Sequence, residues 1–146
     1  MVGEQDWNRR FSEELQELRV MQTGIQILLA SMLTLPFTNR FEHISQLQRG
    51  FYVGTLIASA AATAFLIAPV SLHRLMGEGY KPRVVRAASA MTEAGLIMLL
   101  LAVSGAVFLV LDLVVDAPWA AAVTAVLGAL YIGLWYVVPL VARLRR

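Results

Sequence analysis

Four long apolar stretches, separated by short polar links, decide what this chain can become. They run over Val20–Phe37, Phe51–Leu72, Ala87–Leu111 and Ala117–Ala142. A bilayer's hydrocarbon core is about 30 Å thick, and a helix needs about 20 mostly apolar residues to cross it. Each stretch reaches that length or nearly does. The links Thr38–Gly50, His73–Arg86 and Asp112–Asp116 are too short to hold another domain. Short links between spanning helices make neighbours antiparallel. The expected fold is therefore all-α, an integral membrane four-helix bundle over residues 20–142. A cytoplasmic amphipathic segment (1–19) precedes it and a basic tail (143–146) follows. Charged residues make up 15% of the chain and hydrophobic residues 58%, against about 25% charged in an ordinary soluble domain. That balance argues against a water-soluble enzyme. The absence of cysteine excludes disulfides and thiolate metal sites.

Basic residues set the expected orientation. Arg9, Arg10, Arg19, Arg74, Lys81, Arg83, Arg86, Arg143, Arg145 and Arg146 all fall on one side of a four-span chain. Arg40 and Arg49 fall on the other. This positive-inside asymmetry predicts a multi-pass protein of the cell membrane with both termini cytoplasmic. It also accounts for the pI of about 9.4 without a nucleic-acid partner. The leader to the first span is mixed in charge and no small-residue cleavage site follows Phe37, so that span is expected to be retained. Eleven of the twelve basic residues are arginine, the bias of a GC-rich bacterial genome.

Trp7, Phe11, Leu15 and Leu18 share one helical face, which predicts an interfacial helix lying on the inner leaflet. Phe41, Ile44, Leu47 and Phe51 predict a short surface helix running into the second span. Within that span Gly54, Ala58 and Ala62 stand in small-xxx-small register, the pattern that lets helix backbones approach in lipid, which places this helix at the centre of the bundle or at a dimer seam. Pro69 is expected to kink or end the last turn of the second span, and Pro139 to kink the fourth. Gly77-Glu78-Gly79 predicts a flexible link, Pro82 a helix start, and Asp116 with Pro118 another.

The polar residues inside the spans are the candidates for function. Arg19, Gln22 and Gln26 follow an i, i+3, i+7 spacing and form one stripe, expected to face the other helices. Glu93 is the acidic residue of the third span, and an intramembrane carboxylate is a functional hypothesis by default. Gln26, Glu93 and Tyr136 each lie seven residues inside an arginine: Arg19, Arg86 and Arg143. An amide, a carboxyl and a phenol thus fall at similar depth. Arg19, Gln22, Gln26, Glu93 and Tyr136 form the candidate cluster, either a proton or cation relay or a static clasp. His43 and His73 lie on opposite sides and cannot share a metal. No phosphate loop, HExxH or GxSxG is present, so neither catalysis, a cofactor nor a metal is expected. The expected partners are the lipid bilayer and a second copy or a larger membrane complex.

The run Ser12–Phe41 contains Leu18-Arg19…Gly24-x-Gln26 and Pro36-Phe37-x-x-Arg40-Phe41. It resembles the amino-terminal signature of domain-of-unknown-function family 6328, small and mostly actinobacterial four-span membrane proteins. The resemblance continues through Gln48-Arg49-x-x-Tyr52, Pro69 with His73-Arg74, Gly105 and Asp112. It implies a four-span fold and no established activity. A loose sodium:proton antiporter label on some members implies cation transport as the alternative function.

Overall fold

A computed structural model describes residues 2–76 and 82–145. The expectations for Gly77, Glu78 and Gly79, and those for the side chains of Trp7, Phe11 and His73, lie outside the described residues. Helix α1 covers Val2–Thr34, α2 Gln46–Met76, α3 Pro82–Asp112 and α4 Ala117–Ile132. A π-helical turn, Gly133–Val137, joins α4 to α5, Val138–Leu144. Four helical segments are long and apolar enough to cross a membrane: Leu15–Phe37, Gln46–Leu72, Arg83–Asp112 and Ala117–Leu144. The architecture is an all-α, four-helix one. Both chain ends lie at one end of it, here the terminal end.

The α2–α3 pair is the centre. On α2 the buried residues are Tyr52, Thr55, Ser59, Ala62, Leu66 and Pro69. Their spacing alternates between three and four, the 3.5-residue period of a helix pair that keeps one seam in contact. On α3, Gly95, Leu99, Ala102, Ala106 and Leu109 continue the same alternation. Most of these seam residues are small. Lipid tails are as apolar as leucine, so close backbone approach replaces the hydrophobic drive between helices. A methyl group on Gly105 would collide with the Thr55 hydroxyl, and one on Gly95 would lie 2.8 Å from Leu66 Cδ2.

That seam takes up only part of the expected ladder. Ala62 belongs to it and Ala58 flanks it, but Gly54 is exposed with open space around it. A strict i+4 series drifts around a helix that packs with a 3.5-residue period, and Gly54 falls off the contact line.

Helix α1 packs along α2 in the same register, burying Leu18, Ile25 and Met32 at seven-residue intervals. Two side chains fasten the pair. Tyr52 Oη donates to the Met32 carbonyl at 2.7 Å, and Gln22 Nε2 donates to the Leu66 carbonyl at 2.8 Å. At the end opposite the termini, Ser45 and Gln48 cap α2 reciprocally, each side chain serving the other's main-chain N–H. Gln48 Nε2 also donates to Asp112 Oδ2 of α3 at 2.7 Å.

Two other expectations change, and the one for Pro69 is narrowed. The leader is no separate helix on a leaflet: α1 runs unbroken over 33 residues, about 50 Å at 1.5 Å per residue. No proline or glycine pair interrupts it between Val2 and Thr34. The link after it forms two 3₁₀ turns, Leu35–Phe37 and Asn39–His43. Extended backbone at Ile44 then separates them from α2. Pro69 does not end α2, which continues to Met76.

Candidate functional site

The fourth span packs on α3 and buries only Ala120 fully. No close backbone approach joins it to α1 among the described residues. The gap between them at the terminal end is a groove of roughly 540 Å³, floored by α3 and by Pro69 of α2. Glu17, Ser89, Thr92, Glu93, Tyr136 and Arg143 supply its polar lining. The rest is mostly aliphatic, with Trp135 on the α4 side.

Local chain geometry explains how these residues come together. On α3, Ser89, Thr92, Glu93 and Leu96 recur at helical spacing and so share one face. On the fourth span, Ala120, Thr124, Leu127 and Tyr131 face inward at intervals of four, three and four. Continued regularly, that register would turn Leu134 and Val138 inward. Both are instead more than half exposed, while Trp135 and Tyr136 are half-buried and line the groove. The π turn makes the difference. The Val138 N–H bonds to the Gly133 carbonyl, five residues back, and the extra residue rotates the rest of the helix about its axis. Pro139 supplies the cause, because it has no N–H for the Trp135 carbonyl and its ring crowds that carbonyl. The Trp135 ring packs on the core around Leu18 and Ile25, and stacks on Tyr131 at 5.5 Å.

Of the candidate cluster, Glu93 and Tyr136 share this groove. Arg19 and Gln26 do not: both are exposed and line no part of it. Each follows a buried residue, Leu18 and Ile25, by one position, and one position is about 100° around a helix. Gln22 lies on the buried side, but its amide serves the Leu66 carbonyl and not Glu93. The predicted amide–carboxyl–phenol layer is therefore reduced to its carboxyl and phenol.

The sequence reading missed Glu17, Ser89, Thr92 and Arg143. Ser89 and Thr92 carried a usable signal, since they flank Glu93 on its own face. Glu17 carried none within a leader of mixed charge. Two shielded side-chain oxygens lack a hydrogen-bond partner among the described residues, Thr124 Oγ1 and Tyr136 Oη. Both belong to the fourth span. No group of three or more metal-ligating side chains occurs among the described residues.

Four helices able to cross a bilayer, packed around a small-residue seam, define the class: a four-span α-helical protein. The chain belongs to the family of unknown function DUF6328, whose model matches residues 3–139. No curated protein and no solved structure matches it. Of the residues that carry the resemblance in the sequence, Gln48, Tyr52, Pro69, Gly105 and Asp112 sit at helix–helix contacts, whereas Arg19, Gly24, Gln26, Phe37 and Arg40 are exposed.

Proposed function

We propose that this is a non-enzymatic protein of the cell membrane, both termini cytoplasmic, that works by assembly with a second copy or a larger membrane complex. One observation supports this reading most. Ala117, Ala121, Ala125, Ala129 and Gly133 form an unbroken small-xxx-small ladder on the fourth span, and the four alanines are exposed. A Cβ on Gly133 would meet open space. Such a ladder facing lipid lets another helix approach closely. Among the described residues, α4 makes its close backbone contacts with α3 alone, apart from the π turn that follows it, which leaves the span room for a partner.

Native mass spectrometry of the detergent-released protein tests assembly. A multimer or a stoichiometric partner complex is expected, dissociated by Ala125→Leu. A monomer with no co-purifying protein, for both sequences, would overturn the reading. Orientation is tested by labelling His43→Cys and Glu78→Cys in intact cells. The first should react from outside and the second only after permeabilisation.

Proton or cation transport through Glu93 is the second reading, favoured by the exposure of that carboxylate on the groove. The apolar layer of Leu99, Ala102, Ala106 and Leu109 beyond it weighs against a continuous path within one copy. Flux into proteoliposomes, lost in Glu93→Gln, would establish transport.

A further inference from the structure

We propose that the groove between α1 and the fourth span binds a lipophilic organic cation, a molecule with one positive charge and an apolar body. Its volume of roughly 540 Å³ lies within the ~300–1,000 Å³ usual for small-molecule sites. Among the described residues its ionic lining is two carboxylates, Glu17 and Glu93, against one guanidinium, Arg143. The lining therefore favours positive charge. Glu93 has no ion-pair partner among the described residues, although it lies within the apolar segment Arg83–Asp112. A carboxylate at such depth calls for a cation or for water.

The walls identify the rest of the ligand. The π turn brings Trp135 and Tyr136 to the groove, and aromatic faces attract a cation lodged beside them. Leu15, Leu18, Met21 and Leu96 line the remainder and match an apolar body. A bare metal ion needs several oxygen ligands and has no use for such walls. A zwitterionic phospholipid fits in reverse. Its ammonium lies outward of its phosphate, whereas Arg143 sits at the rim and Glu93 lies deeper. Tyr136, at the level of Glu93, is seven residues inside Arg143, or about 10 Å along a helix. The site needs one copy only and is independent of assembly.

Tetraphenylphosphonium and tetraphenylborate are matched in size and shape and opposite in charge. Equilibrium dialysis of each against the full chain in detergent micelles tests the site. Saturable binding of the phosphonium near one per chain is expected, with only non-saturable uptake of the borate. Glu93→Gln should weaken the phosphonium about tenfold or more. Glu42→Gln, at the other end of the molecule, and Ala125→Leu should leave it unchanged. Ser89→Leu narrows the groove, keeps its charge and should also weaken binding, so the proposal stays testable if Glu93→Gln misfolds by circular dichroism. Equal uptake of both ions overturns the proposal. So does phosphonium binding that a phospholipid displaces and that both groove substitutions leave unchanged.

Discussion

The side-chain amide of Gln22 donates to the main-chain carbonyl of Leu66, and Leu66 stands three residues before Pro69. In an α-helix the carbonyl that a proline leaves without a donor is four residues back, here that of Phe65, while the Leu66 carbonyl pairs with the Val70 N–H. The Gln22 amide therefore adds a second bond to a laddered carbonyl, tying α1 to α2 one turn before Pro69, and is not a member of a relay with Glu93.

Gln22→Leu should accordingly destabilise the protein by about 0.5–1.5 kcal/mol, the net worth of one interhelical hydrogen bond. Gln26→Leu, on the exposed face, should change little. Thermal unfolding in detergent checks both. The double substitution of Gln26 and Glu93 should be additive, because the two share no partner.

Gly105→Ala should damage the fold, and Gly54→Ala should not. The first methyl group meets the Thr55 hydroxyl and the second meets nothing. Overpacking of this kind costs about 1–3 kcal/mol. Comparing folded yield and melting temperature for the two variants reads the difference. Equal tolerance would place the α2–α3 seam elsewhere.

Tyr52→Phe removes the hydroxyl that serves the Met32 carbonyl while keeping the ring against Phe41, whose centroid is 5.0 Å away. A loss of about 0.5–1.5 kcal/mol is expected. Hydrogen exchange should quicken at the end of α1 near Met32 and stay unchanged in α4.

Pro139→Ala should restore regular hydrogen bonding and remove the π turn. Trp135 would then leave the groove. In a background of Trp7→Phe and Trp119→Phe, its emission should shift and its quenching by lipid-borne quenchers should rise. An unchanged spectrum would mean that another residue enforces the π turn.

The four spans were legible because each rests on composition over some twenty residues, a signal no tertiary contact can reverse. Rotation about each helix axis was harder to read. Arg19, Gln22 and Gln26 form a correct stripe, yet only Gln22 faces inward, because the choice of buried face was made by Leu18, Ile25 and Met32. The Gly54–Ala58–Ala62 ladder joins the α2–α3 seam only in part for the same reason: periods of 3.5 and 4 share only some positions. Glu93 and Tyr136 were paired by depth alone, and depth survives any rotation. The π turn that completes their meeting depends on Pro139, which announced a disturbance but not its direction.

The hydrogen bond between Gln22 and Leu66 also bears on how the chain is made. During synthesis α1 emerges first, and the acceptor of its inward amide lies 44 residues further on. Until α2 arrives, the amide of Gln22 has no partner in hydrocarbon, and the first helix is poorly suited to lipid by itself. The first two helices should therefore leave the insertion machinery together, as a pair. A ribosome-bound chain truncated before Leu66 would remain beside the translocon, and one extended past Pro69 would be released into the bilayer.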